Sequence, residues 1–273
     1  MRTIAMASDI QLAQLLHTKE TILYTSETPH PYRIQWMTIG DMPKEGYPVL
    51  YLLDGDMTFP VASVAAHTFM VNKVAKKNAP VMIVGIGYGR EELLDLKKRA
   101  LDYTPPTRDN RADIDYGGAD KFTLFISNDL LPFLAKQTKI NIKEQAIFGH
   151  SFGGLFASYN LLGKSNLFKY AVISSPSLWW DDKRVFDFFS SQMLSDRHIR
   201  LSLGELEIPK ETADTRRQQR DMWGNLEKFA HYLGNQGVTV QLERYEGENH
   251  GTVMYRALLD GMKFLQPYWQ KEQ

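Results

Sequence analysis

Apolar residues fall along this chain in two rhythms. Short continuous runs, such as residues 49–53 and 81–86, have the character of strands buried on both faces. Residues 32–39 alternate instead, with Ile34, Trp36 and Thr38 on one side and Arg33 and Gln35 on the other. Further strands are predicted over 146–148, 170–174, 199–203 and 238–245. Between them, longer stretches carry helical spacing: 60–75 with Pro60 in its first turn, 119–131 ended or kinked by Pro132, and 184–193. Two more follow, 215–233 closed by Gly234, and 255–265. Strands alternating with helices predict an α/β fold, a mostly parallel central sheet with helices on both faces. In such sheets ligands bind beyond the carboxyl ends of the strands.

Composition narrows the classes of function. The chain has 273 residues, and its 32 Lys and Arg balance 32 Asp and Glu. No basic excess calls for nucleic acid or an anionic membrane. The absence of cysteine excludes disulfides, thiolate zinc sites and cysteine nucleophiles. The first twenty residues do not read as a signal peptide, and the apolar runs are too short to span a bilayer. The expectation is one domain over residues 1–273, cytoplasmic, with a small-molecule partner and no metal or cofactor.

Candidate chemistry concentrates in Gly149-His150-Ser151-Phe152-Gly153, which follows the apolar 146–148 and precedes a helical stretch. Strand, tight turn and helix are the setting of a G-x-S-x-G nucleophile elbow, with small residues where the two elements pass closely. A serine nucleophile needs a histidine base, and in this fold class the order is serine, acid, histidine. Of the histidines after Ser151, His198 precedes a strand and His231 lies within a helix. His250 follows the last strand and is the candidate base. Glu205 and Glu207, after the preceding strand, are both candidates for the acid, and a Ser151–His250 dyad is a third arrangement. The oxyanion hole is expected from the backbone N–H of Phe152 and that of Asp56, after the turn at Gly55.

These residues, with Tyr51-Leu52-Leu53-Asp54-Gly55-Asp56, Ser174-Ser175-Pro176-Ser177-Leu178-Trp179-Trp180, Gly204-Glu205-Leu206-Glu207 and Asn249-His250-Gly251, stand in a familiar order. Together the sequence resembles the "Putative esterase" (esterase D-like) family of α/β-hydrolases, and within it the siderophore trilactone esterases related to enterobactin esterase. The resemblance implies an α/β-hydrolase fold and a serine carboxylesterase with Ser151 as nucleophile and His250 as base. It ranks Glu207 above Glu205, because the family acid often stands in G-x-x-E. It also implies that Arg90, Arg99 or Tyr103 meets the substrate. Trp179 and Trp180, on the loop after 170–174, are candidates to pack against an aromatic acyl group. An acyltransferase on the same scaffold and a non-catalytic binding protein are the competing classes.

Overall fold

The computed structural model describes residues 15–72, 77–89, 92–108, 115–191, 193–209 and 215–270. Eight strands build the main sheet: β1 (Lys19–Leu23), β2 (Tyr32–Ile39), β3 (Tyr47–Leu53), β4 (Val81–Gly87), β5 (Ile140–His150), β6 (Tyr170–Ser174), β7 (His198–Gly204) and β8 (Thr239–Tyr245). Their order across the sheet is β1-β2-β4-β3-β5-β6-β7-β8. β2 runs antiparallel to both of its neighbours, and β4, β3 and β5 to β8 run parallel to one another. This is the α/β-hydrolase arrangement that the sequence pattern predicts.

The continuous apolar runs have the expected cause. In β3, Val49, Tyr51 and Leu53 face one core while Leu50 and Leu52 face the other, and every residue of the strand is buried. In β4, Val84 and Ile83 divide in the same way. Each such side chain, taken fully out of water, contributes about 1.5–3 kcal/mol. Helices α1 (Gly55–Phe69) and α8 (Val253–Trp269) close one face. The other is covered by α2 (Leu96–Tyr103), α3 (Ala119–Phe125), α4 (Leu131–Gln137), α5 (Phe152–Tyr159) and, past a six-residue α6 (Thr215–Arg220), α7 (Met222–Asn235).

Four of the predicted helices differ from expectation. α1 starts at Gly55, not Pro60, because Asp54 turns the chain left-handed (φ 52°) directly at the strand exit. It ends at Phe69, and Val71–Asn72 pairs with Lys77–Asn78; the expected end at residue 75 lies outside the described residues. Pro132 does not end its helix: a π turn, Ile126–Leu130, joins α3 to α4. The wider turn accommodates a residue that has no N–H to donate. The predicted helix over 184–193 is only a 3₁₀ turn, Arg184–Phe188, and that over 215–233 breaks at Asp221, another left-handed residue (φ 40°). Its carboxylate accepts the N–H of Gly224 and so restarts the chain as α7. Antiparallel β1 and helix α2 were not anticipated. Among the described residues, no helix is long and apolar enough to cross a membrane.

The parallel strands all deliver their carboxyl ends to one edge of the sheet. There, α1 leaves so close to β4 that a Cβ on Gly55 would lie 2.5 Å from the Ile86 nitrogen. Gly234, in the last turn of α7, has nothing within 4 Å of such an atom. Gly55→Ala is therefore expected to lower stability by about 1–3 kcal/mol, and Gly234→Ala to raise it by roughly 0.5–1 kcal/mol. Urea unfolding of both variants measures the contrast.

Candidate active site

Ser151 stands between β5 and α5 at φ 58°, ψ −116°, a conformation that non-glycine residues rarely adopt. The surrounding backbone fixes it there: Ser151 N–H donates to Ser174 O (3.0 Å), and Ser151 O accepts from Ser177 N–H (3.0 Å) and Leu155 N–H (2.9 Å). Two glycines make room. A Cβ on Gly149 would stand 2.2 Å from Gly153 O, and one on Gly154 would stand 3.0 Å from Pro176 Cα. Gly153 is less constrained, its nearest neighbour being the Leu53 side chain at 3.4 Å. The second tightly packed glycine thus lies one place beyond the five-residue motif.

The acid alternatives separate by geometry. Glu207 ends the 3₁₀ turn Glu205–Glu207 after β7 and is buried, 7 % exposed. Its Oε2 lies 2.6 Å from His250 Nδ1, and its Oε1 accepts from Ser175 Oγ (2.6 Å) and Gly204 N–H (2.9 Å). With Nδ1–H donated to the carboxylate, Nε2 of His250 keeps its lone pair. Glu205 accepts the N–H of Gly247 (3.1 Å), in the turn leading to His250. The Leu206 N–H binds Glu248 O (3.0 Å) in the same turn. One glutamate holds the ring, and its neighbour holds the backbone that carries it. His198 begins β7 at the opposite edge of the sheet, and His231 is exposed on α7.

At the exit of β3, Asp54 is buried and grips Arg99 bidentately, Nε to Oδ1 at 2.9 Å and Nη2 to Oδ2 at 3.0 Å. Arg99 Nη2 also donates to His150 O (3.3 Å), and the guanidinium lies over Phe152. Burial lowers the Arg99 pKa, but the charge and hydrogen bonds of Asp54 outweigh this and raise it. Asp54 O accepts the N–H groups of Met57 and Thr58. That leaves Gly55 and Asp56 as the first-turn N–H groups with no carbonyl one turn behind them. The Asp56 carboxylate turns away, to Arg33 Nη1 (2.8 Å) and Tyr88 N–H (2.8 Å).

A cavity of about 490 Å³ opens over these residues, lined at its base by Ser151, Phe152, Ser177, Glu207 and His250. Ser151 Oγ rests 3.4 Å from Ser177 Oγ. Arg217 and Arg220 of α6 form one wall with Trp179, the Arg220 guanidinium lying 4.2 Å from the centre of the indole ring. Burial, with Arg216 nearby, lowers the pKa of Arg220.

The substrate contacts expected from sequence divide. Trp179 and Arg99 line the cavity, although Arg99 is committed to Asp54. Tyr103 is a correction: it is fully buried, and its hydroxyl accepts the Asp54 N–H (3.2 Å), so it supports the turn beneath the site. Trp180 is another: it is buried against Tyr116, because the turn after Trp179 sends the two indoles apart. Neither residue is among those lining the cavity, nor is Asp56. Arg90 lies outside the described residues. Ser175, Ser177 and Arg220 were missed; the spacing of Arg217 and Arg220, one helical turn apart, is the signal that could have drawn attention to them.

A serine on an elbow, then a carboxylate, then a histidine along the chain, at the carboxyl edge of a 1-2-4-3-5-6-7-8 sheet, define an α/β-hydrolase. The family model "Putative esterase" matches residues 27–265, and the chain belongs to that family. It is 32% identical to the ferri-bacillibactin esterase BesA of Bacillus subtilis over 78% of this chain and 76% of that one. It is 29% identical to a siderophore enterobactin esterase of Emericella nidulans, over 86% of this chain and 89% of the relative. Among solved structures, the BES protein of Bacillus cereus superposes with a TM-score of 0.82 at 27% identity, covering 96% of this chain and 99% of that one.

Removing Arg99 would leave the Asp54 carboxylate buried without its partner. Arg99→Met is expected to destabilise the protein by about 3–5 kcal/mol, measured by urea unfolding. A loss under about 1 kcal/mol would mean that the pair does not anchor the turn.

Proposed function

We propose that this chain is a serine carboxylic-ester hydrolase that works through an acyl-enzyme, within one α/β-hydrolase domain. The observation that carries the reading is the 2.6 Å contact between Glu207 and His250 beside the strained Ser151. His250 Nε2 takes the Ser151 proton as Oγ attacks the ester carbonyl carbon. The carbonyl π electrons move to oxygen, and the N–H groups of Phe152 and Asp56 stabilise that charge. When the tetrahedral centre collapses, the carbon–alkoxy bond breaks, and the proton on His250 goes to the departing alcohol. Water, deprotonated by the same imidazole, then attacks the acyl-enzyme and releases the acid. Glu207 orients His250 and stabilises its imidazolium without taking the proton. These steps draw on this chain's side chains and N–H groups alone.

The ester we infer is a siderophore lactone, anionic and aromatic. The chain's similarity to siderophore esterases supports a siderophore ester. So does the wall of Arg217, Arg220 and Trp179, which suits a planar acyl group with negative charge.

Hydrolysis of p-nitrophenyl esters tests the mechanism. Ser151→Ala is expected to remove turnover above background. Glu207→Gln is expected to lower kcat by about 10³- to 10⁴-fold, and Glu205→Gln by less than about tenfold. Equal, small losses for both glutamates would support a dyad instead. The substrate class has its own test. Arg220→Ala is expected to reduce the kcat/KM preference for an anionic catecholate ester over a neutral ester of equal length by about tenfold. An unchanged preference would remove Arg220 from substrate recognition.

A further inference from the structure

His150, the variable residue of the elbow motif, is buried (8 % exposed) with its ring centre 4.6 Å from that of His250 and the two planes inclined by 43°. Resting on the serine-hydrolase reading above, we propose that His150 is a positioning residue for the base. It braces the face of the His250 imidazole, so that the ring stays in the plane from which Nε2 meets Ser151.

The need for a brace follows from where His250 sits. It lies on an exposed turn, and its own side chain is 49% exposed. The Glu207 bond directs the Nδ1 edge, but a single hydrogen bond tolerates a considerable swing of the ring about its χ2 torsion. Packing on one face of the ring restricts that swing. His150 is well placed to provide it, because it ends β5 and is joined to Ser151 by one peptide bond. The spacing between base and nucleophile is thus transmitted through the rigid end of a central strand. His150 is itself fixed from three sides. Its Nδ1 lies 3.2 Å from Ser174 Oγ on β6, its carbonyl accepts from Arg99 of α2, and its ring meets the turn bearing His250.

The brace also has the right electrostatics. Burial, then the neighbouring His250, then Arg99 push the His150 pKa well below its ordinary value, against backbone hydrogen bonds at Ser174 and His250 that favour the charged form. His150 therefore stays neutral while His250 cycles through its imidazolium. A charged ring in that place would oppose the proton transfer from Ser151.

The test compares two substitutions on p-nitrophenyl ester hydrolysis, with NMR of the unaltered protein alongside. His150→Ala is expected to lower kcat by about 10- to 100-fold with KM within about twofold. His150→Phe, which keeps a flat ring against His250, is expected to recover most of that loss. In the native protein, ring-to-ring contacts between the two histidines should be seen. Protonation of His150 should also set in at lower pH than that of an ordinary histidine. The inference is overturned if His150→Ala keeps kcat within about twofold, or if Phe loses as much as Ala. It is also overturned, whether or not the variants fold, if the native rings show no contact. Turnover that persists in Ser151→Ala would instead overturn the serine-hydrolase reading, which separates the two failures.

Discussion

Helix α5 begins two residues after strand β5 ends, and the two can meet so closely only because Gly149 has no side chain to strike Gly153 O. That contact holds Ser151 in its strained turn. It also brings the end of β5 against Ser174 and Ser177. The other catalytic candidates are attached to neighbouring strand exits, so the sheet register sets their spacing. Asp56 follows β3, Glu207 follows β7 and His250 follows β8. The Asp54–Arg99 pair ties the first of these exits to the elbow through His150 O, across elements far apart in the sequence.

The parts of this arrangement governed by local chemistry were legible in the sequence. Runs such as 49–53 signal strands buried on both faces, and the glycines around Ser151 signal the elbow. His250 stands out through its place after the last strand. What stayed hidden was set by tertiary contact. Asp54 and Asp221 adopt left-handed conformations that no periodicity marks, so one helix started early and another was broken in two. Pro132 looked like a stop because a π turn before it has no clear sequence signature. Trp179 and Trp180 are adjacent, yet one faces the cavity and the other the interior, since the turn between them had no regular period to read. Glu205 and Glu207 could be separated only by the direction of their side chains; Glu207, which the family pattern ranks first, is the one in contact with His250.

Charge is unevenly used around the cavity. The protein as a whole is neutral by composition, yet Arg99, Arg217 and Arg220 all reach this one cleft. Arg99 is paired with Asp54. Arg217 is held by Leu206 O, which lies between the two glutamates, and Arg220 by the Trp179 ring. These arginines are therefore attached to the same turn that carries Glu207, and to the loop beside it.

Three adjacent strands, β3, β5 and β6, each leave the sheet through a non-glycine residue at positive φ: Asp54, Ser151 and Ser175. Each departure costs on the order of 1 kcal/mol, and the buried sheet behind them offsets it. Selection for heat resistance would meet a conflict at this edge. Glycine at position 151 would relieve backbone strain and delete the proposed nucleophile, and glycine at 175 would release the hydroxyl that holds Glu207. Routes to a hardier protein therefore run through the distant helix surfaces and leave the carboxyl edge of the sheet as it is.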